Sequence, residues 1–152
     1  MTTTAHENEK QTVSRVILGV SGFIAVAIAV TILFAPGAFY TGYGIDVVGN
    51  PTLANELKAP SGALLMAGLL MLAGVVRLDW LAPALATATL VYLSYGFGRV
   101  LSIGLDGMPH SGMVAAAVIE LLIGAICLVA LQRLSQAPIT RPVRNESLTA
   151  HR

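Results

Sequence analysis

Long apolar stretches separated by short polar ones dominate the chain. Charged residues are absent from residues 16–35, 59–76 and 80–98, and residues 111–131 carry only Glu120. Each stretch can cross the roughly 30 Å hydrocarbon core of a bilayer as a helix, at about 1.5 Å per residue. The alternation of apolar and polar residues that is typical of membrane β-strands is absent. The pattern therefore predicts an all-α protein, a four-helix transmembrane bundle.

The predicted membrane domain covers residues 15–132. Its spans are expected at about 16–36, 57–77, 80–103 and 111–132. Residues 1–14 and 133–152 lack apolar periodicity, and we predict that they form short disordered tails on the cytoplasmic side.

Basic residues predict the orientation of the bundle. With four crossings, Lys58 and Arg99 fall on one side, and all other Lys and Arg residues fall on the opposite side: Lys10, Arg15, Arg77, Arg133, Arg141, Arg144 and Arg152. Because cytoplasmic segments are enriched in Lys and Arg, both termini are predicted to be cytoplasmic. Aromatic residues are expected at both interfaces, namely Phe39, Tyr40 and Tyr43 on one side and Trp80 on the other.

Composition narrows the class of protein. Charged residues make up 11% of the chain, against about 25% in soluble domains, and 55% of the residues are hydrophobic. A soluble fold of this composition would have no polar surface. The net charge is +1 without a basic stripe, so nucleic acid is not an expected partner.

The residue inventory contains no recognisable catalytic motif. Cys127 is the single cysteine, which excludes chemistry that needs a thiol pair, and the three histidines are His6, His110 and His151. No metal site and no cofactor are expected, because no cluster with metal-ligand spacing and no phosphate-binding loop is present. The inventory leaves open whether the protein is an enzyme.

Polar residues follow one face of the third span. Steps of three and four residues, which keep side chains on one helix face, connect Tyr92, Tyr95, Arg99, Ser102 and Asp106. Polar groups within a bilayer are costly and indicate function. The alternative is that the tyrosines and Arg99 anchor the helix at the interface.

The fourth span carries a buried carboxyl on a stripe of small residues. Residues recur every four positions: Gly112, Ala116, Glu120 and Gly124. Such a stripe allows membrane helices to approach closely, so Glu120 is expected to face other helices. Tyr92 lies at similar depth, which predicts a Tyr92–Glu120 hydrogen bond, or an Arg99–Glu120 ion pair if Arg99 points inward. The alternative is a protonated Glu120 that donates one structural hydrogen bond.

Further polar residues lie on the predicted external side. Asn55 is expected to cap the second long helix, and Glu56 to favour the positive end of its dipole. His110 lies at the start of the fourth span and is a turn residue in the alternative interpretation. We predict a cavity with a floor of Tyr92 and Glu120 and a rim formed by Glu56, Arg99, Asp106 and His110.

Three motifs resemble a known family. They are LANELKAPSG at residues 53–62, YLSYGFGR at 92–99 and DGMPHSG at 106–112, followed by Glu120. Together they resemble a bacterial family of unknown function with four membrane spans, DoxX-like in its arrangement, over roughly residues 15–132. DoxX-like relatives include subunits of membrane redox systems and other small four-span proteins. The matching positions are Asn55, Glu56, Arg99, Asp106, His110 and Glu120, and the resemblance assigns them no catalytic role.

Three functional hypotheses remain. The favoured one is a multi-pass protein of the bacterial cytoplasmic (inner) membrane that binds a quinone- or lipid-like amphipathic molecule, alone or as an accessory subunit. Its candidate ligand-binding residues are Glu120, Tyr92, Tyr95, Arg99, Asn55, Glu56, Asp106 and His110. The second is a structural subunit that binds the helix of a membrane partner or of another copy. The third is a lipid isomerase or reductase with Glu120 as general acid.

Overall fold

The protein folds into helices joined by short connections. A computed structural model describes the backbone of residues 2–135 and the side chains of residues 8–135. Within that range there is no strand, and the helices are α1 (Thr2–Phe34), α2 (Pro36–Thr41), α3 (Pro51–Val76), a single 3-10 turn (Leu78–Trp80), α4 (Leu81–Asp106) and α5 (Ser111–Ser135). The predicted all-α fold with four long helices is confirmed.

The outer surface of the bundle is suited to lipid. Four segments are long and apolar enough to cross a membrane: Asn8–Phe34, Pro51–Val76, Leu78–Asp106 and Ser111–Ser135. Large apolar side chains also point away from the bundle, and Phe23, Leu90 and Phe97 are each more than 60% exposed. Such a surface is unfavourable in water and favourable among lipid tails. The chain is therefore a multi-pass membrane protein.

The four long helices run alternately up and down in chain order. α1 packs along α3 and α4 packs along α5, while contacts between α3 and α4 and between α1 and α5 close the ring. The two diagonals differ, because α1 approaches α4 whereas α3 and α5 stay outside contact distance. Space is therefore left between α3 and α5.

Glycines let two pairs of helices approach closely. A Cβ on Gly68 of α3 would lie 2.8 Å from Cγ2 of Val26 in α1 and 3.0 Å from the backbone nitrogen of Val26. A Cβ on Gly124 of α5 would lie 2.6 Å from Cδ2 of Leu93 in α4. Gly124 belongs to the predicted stripe of small residues, and its role at a helix interface is confirmed.

The tightly packed core lies in the half of the bundle where α3 ends and α4 begins. Its largest fully buried side chains come from all four long helices: Leu18, Met71, Leu85 and Cys127. Cys127 forms no disulfide, and its sulfur lies 3.9 Å from the Ser21 hydroxyl oxygen in a buried hydrogen bond. The opposite half, next to α2, is less densely filled.

The tails differ from the sequence-based expectation. α1 begins at Thr2, so residues 2–14 are helical rather than disordered. Glu9, Lys10 and Gln11 favour helix, and the extension of an existing helix avoids the cost of a new nucleus. At the other end, α5 continues to Ser135. The predicted disorder of residues 136–152 lies outside the described residues.

The start of α3 also differs. The helix begins at Pro51, and its N-cap is Asn50, whose Oδ1 accepts a hydrogen bond from the backbone N–H of Leu53 at 3.0 Å. The prediction that Asn55 caps this helix is wrong, because Asn50 caps it five residues earlier and Pro51 is its first residue. Glu56 consequently lies beyond the first turn, where the helix dipole has little effect. The short helix α2 was not predicted.

We expect Gly68→Ala to destabilise the bundle. Its Cβ meets the short, stiff Val26 side chain and the backbone of α1, so the two helices must separate, at a cost of about 1–3 kcal/mol. Thermal unfolding of the detergent-purified protein measures the loss. The control is Gly62→Ala in the same helix, where nothing lies within 4 Å of the new Cβ. Equal stability of the two variants would contradict the close contact between α1 and α3.

Candidate functional site

A cavity of about 400 Å³ occupies the half of the bundle next to α2. All four long helices line it. Residues of α2 and Tyr43, which lie in the connection between α1 and α3, line its end on that side. Much of its wall is apolar, including Ile28, Ile32, Leu64 and Met113. The polar part of the wall is formed by Tyr40, Tyr43, Ser61, Tyr92, Tyr95, Arg99 and Glu120. The cavity thus combines an apolar wall with a compact group of polar side chains.

An ion pair lies in the cavity wall. Nε of Arg99 in α4 donates to Oε2 of Glu120 in α5 at 2.9 Å, and their side chains are 34% and 16% exposed. The predicted Arg99–Glu120 pair is confirmed, and Arg99 points inward rather than anchoring the helix at the interface. A charge-assisted hydrogen bond of this length links α4 to α5 across the cavity wall.

Tyr92 has a different partner from the one predicted. Its hydroxyl donates to the backbone carbonyl of Ser21 in α1 at 2.6 Å, and the residue is only 6% exposed. The predicted Tyr92–Glu120 hydrogen bond does not form: the phenol proton is donated to Ser21, and Glu120 accepts from Arg99. Tyr92 instead joins α4 to α1 at the boundary between the cavity and the packed core. No sequence signal indicated that a backbone carbonyl of α1 would be the acceptor.

Aromatic residues of the connection after α1 form part of the cavity wall. The ring of Phe39 contacts those of Tyr40 and Tyr43, with centroids 5.1 and 5.7 Å apart. Burial raises the pKa of the Tyr40 phenol, and the nearby Arg99 charge opposes that rise. The sequence pattern predicts only interfacial anchors at these positions. Their clustering within a few positions was the signal that could have indicated a shared site.

Four residues predicted as ligand contacts lie outside the cavity wall. In α3 the wall is formed by Leu57, Pro60, Ser61 and Leu64. At about 100° per residue, Asn55 lies on the opposite side of α3 and Glu56 lies at the edge of the wall face, and both are exposed. Helix rotation, which depends on where α3 packs, decided this outcome.

Asp106 and His110 have local partners at the helix ends instead. Oδ2 of Asp106 accepts a hydrogen bond from the Ser102 hydroxyl at 2.9 Å. Nδ1 of His110 accepts from the backbone N–H of Gly112 at 3.2 Å, which satisfies a free donor at the start of α5. The His110 ring also meets Tyr43 edge-on, with centroids 5.8 Å apart. His110 thus supports a residue of the wall without lining the cavity.

Metal ligands are not grouped in the described part of the chain. Among those side chains no three His, Cys, Asp or Glu residues come together as a metal site requires.

The fold and the cavity define the class as a multi-pass four-helix membrane protein with an internal polar site. The chain belongs to the family described as a domain of unknown function (DUF4345), which matches residues 13–131. The matched range contains every residue that lines the cavity, from Ile24 to Ile123. Comparison with curated proteins gave no match. Comparison with solved structures gave none either.

We expect Tyr92→Phe to lower the stability of the bundle by about 0.5–1.5 kcal/mol, because it removes the hydrogen bond to Ser21. Tyr95→Phe is the matched control, since the Tyr95 hydroxyl has no hydrogen bond within the described part of the chain. Thermal unfolding in the same detergent measures both. If Tyr95→Phe costs as much as Tyr92→Phe, the α1–α4 hydrogen bond is not the stabilising contact.

Proposed function

We propose that the protein binds an amphipathic small molecule, quinone- or lipid-like, in the cavity between its helices. The apolar wall would contact the tail of the ligand, and Tyr92, Tyr95, Arg99 and Glu120 would lie around its head group. The observation that carries the proposal is the coexistence, in one cavity of about 400 Å³, of an apolar wall and a polar cluster. Ligand sites between bundle helices combine these features.

Two physical arguments support a ligand. The interiors of helix bundles normally pack without large voids. An unfilled cavity lowers the stability of the protein, and the loss grows with the volume of the cavity. Polar and ionisable groups inside a membrane are also costly, and they persist where they bind or transfer something. Both arguments apply to Arg99 and Glu120, because these two charged residues line the cavity.

The positions of Lys and Arg support an orientation for this site. Arg15 and Arg77 lie at the end of the bundle away from α2, and the positive-inside rule assigns that end to the cytoplasm. The cavity, next to α2, would then lie in the external half of a bacterial inner membrane.

A structural role is the second candidate, and the exposed face of α4 favours it. Ser94, Gly98 and Ser102 are exposed at four-residue intervals, and nothing lies within 4 Å of a Cβ built on Gly98. A face of small residues suits contact with another membrane helix. The enzyme hypothesis has less support, because Oε2 of Glu120 already accepts the Arg99 hydrogen bond, whereas a general acid must present a proton.

A pair of alanine variants tests ligand binding. Ala116 of α5 lines the cavity, whereas the adjacent Ala115 is exposed on the outside of the bundle. We expect Ala116→Phe to fill part of the cavity and to reduce binding of added decylubiquinone and co-purified lipid at least about ten-fold. Ala115→Phe should bind as the wild type does.

Native mass spectrometry of the detergent-purified proteins, with lipid extraction, measures bound molecules in this test. A folded wild type that carries no defined adduct and binds no added amphiphile contradicts the proposal and favours the structural role. Equal binding by Ala116→Phe and Ala115→Phe would place the bound molecule outside the cavity.

A further inference from the structure

We infer that the cavity selects neutral amphiphiles whose head group carries hydrogen-bond acceptors, and that Glu120 determines this selectivity by neutralising Arg99. The inference rests on the proposed function and specifies its ligand class. The shared chemistry is an uncharged head with carbonyl or ester oxygens on an apolar tail. Both quinones and acyl esters have it.

The charge balance of the wall is the first argument. Among the 20 residues that line the cavity, the charged ones are Arg99 and Glu120, and Nε and Oε2 are 2.9 Å apart. Their charges compensate each other, so the wall is neutral as a whole. An anionic head group at Arg99 would lie beside the Glu120 carboxylate, where the repulsion is strong because the surroundings are apolar. A neutral head group avoids that repulsion.

The supply of hydrogen-bond donors is the second argument. The ion pair uses Nε of Arg99, so the two terminal nitrogens of the guanidinium keep their N–H groups for a ligand. The hydroxyls of Tyr40, Tyr43 and Tyr95 have no hydrogen bond within the described part of the chain. All of these residues line the cavity. Carbonyl oxygens of a ligand would exchange their bonds to water for bonds to these donors, which offsets the cost of burial.

The residues of the wall also indicate which molecules the cavity disfavours. A cationic head group would be repelled by the Arg99 charge, which offsets its attraction to the Glu120 carboxylate. A purely apolar molecule would leave the phenols and the guanidinium buried without partners. Acceptor-rich neutral amphiphiles are the class that satisfies both the charge balance and the donors.

The test compares two probes of equal chain length, methyl palmitate and palmitate, at about pH 9, where the palmitate carboxyl is ionised. We expect the wild type to bind the ester at least about ten-fold more tightly, given the size of coupling between close charges in proteins. Decylubiquinone is a third probe, and its affinity relative to the ester distinguishes a quinone site from an acyl-ester site. Native mass spectrometry with titrated probe gives the affinities.

Variants of the ion pair vary the charge of the wall. Glu120→Gln leaves Arg99 uncompensated, so the ratio of palmitate to ester affinity should rise at least about ten-fold. Arg99→Gln should lower that ratio below the wild-type value. The double variant Arg99→Gln with Glu120→Gln restores a neutral wall, and its ratio should return toward that of the wild type. Asp79→Asn changes the net charge equally at the opposite, exposed end of the bundle and should leave the ratio unchanged.

The outcomes separate the two proposals. If the wild type binds palmitate as tightly as the ester, or if Glu120→Gln does not raise the ratio, the inference about selectivity is wrong while ligand binding stands. If the wild type binds none of the three probes, ligand binding and the selectivity that rests on it both fail. Should Glu120→Gln not fold, the wild-type preference and the Arg99→Gln ratio still decide the inference.

Discussion

The uneven spacing of the four long helices is the constraint on which the other features depend. Glycines bring α3 against α1 and α5 against α4, where a single methyl group would collide with the neighbouring helix. Nothing draws α3 and α5 together across the diagonal. The half of the bundle that contains Leu18 and Met71 is filled by packed side chains. The other half keeps a cavity because α3 and α5 do not meet across it.

Polar contacts stabilise the walls of that cavity. Tyr92 joins α4 to the backbone of α1, and Arg99 joins α4 to Glu120 of α5. In a low-dielectric interior each contact would be expensive to break, because the separated groups would lose partners that lipid cannot replace. The same ion pair keeps the wall neutral while leaving donors free. Stability and the proposed ligand preference therefore have a common physical origin.

The family to which the chain belongs is described as a domain of unknown function, so the site itself carries the indications of function. The cavity has the composition of a site for an amphiphile, and the exposed small residues of α4 suit a helix partner. The two features adjoin each other, because Tyr95 and Arg99 line the cavity and also lie beside Ser94, Gly98 and Ser102. An accessory subunit that binds a lipid-like molecule and docks to another membrane protein would use both.

The sequence by itself determined the fold class and the number of long helices, because apolar length and helical periodicity are local properties. It also indicated the Arg99–Glu120 pair, as the alternative in which Arg99 points inward. Only the tertiary structure decided that Tyr92 bonds to Ser21, that Tyr40 and Tyr43 line the cavity, and that Asn55 and Glu56 lie outside its wall. Those outcomes depend on how each helix is rotated and how far it lies from its neighbours, and these relations exist only after the helices have packed.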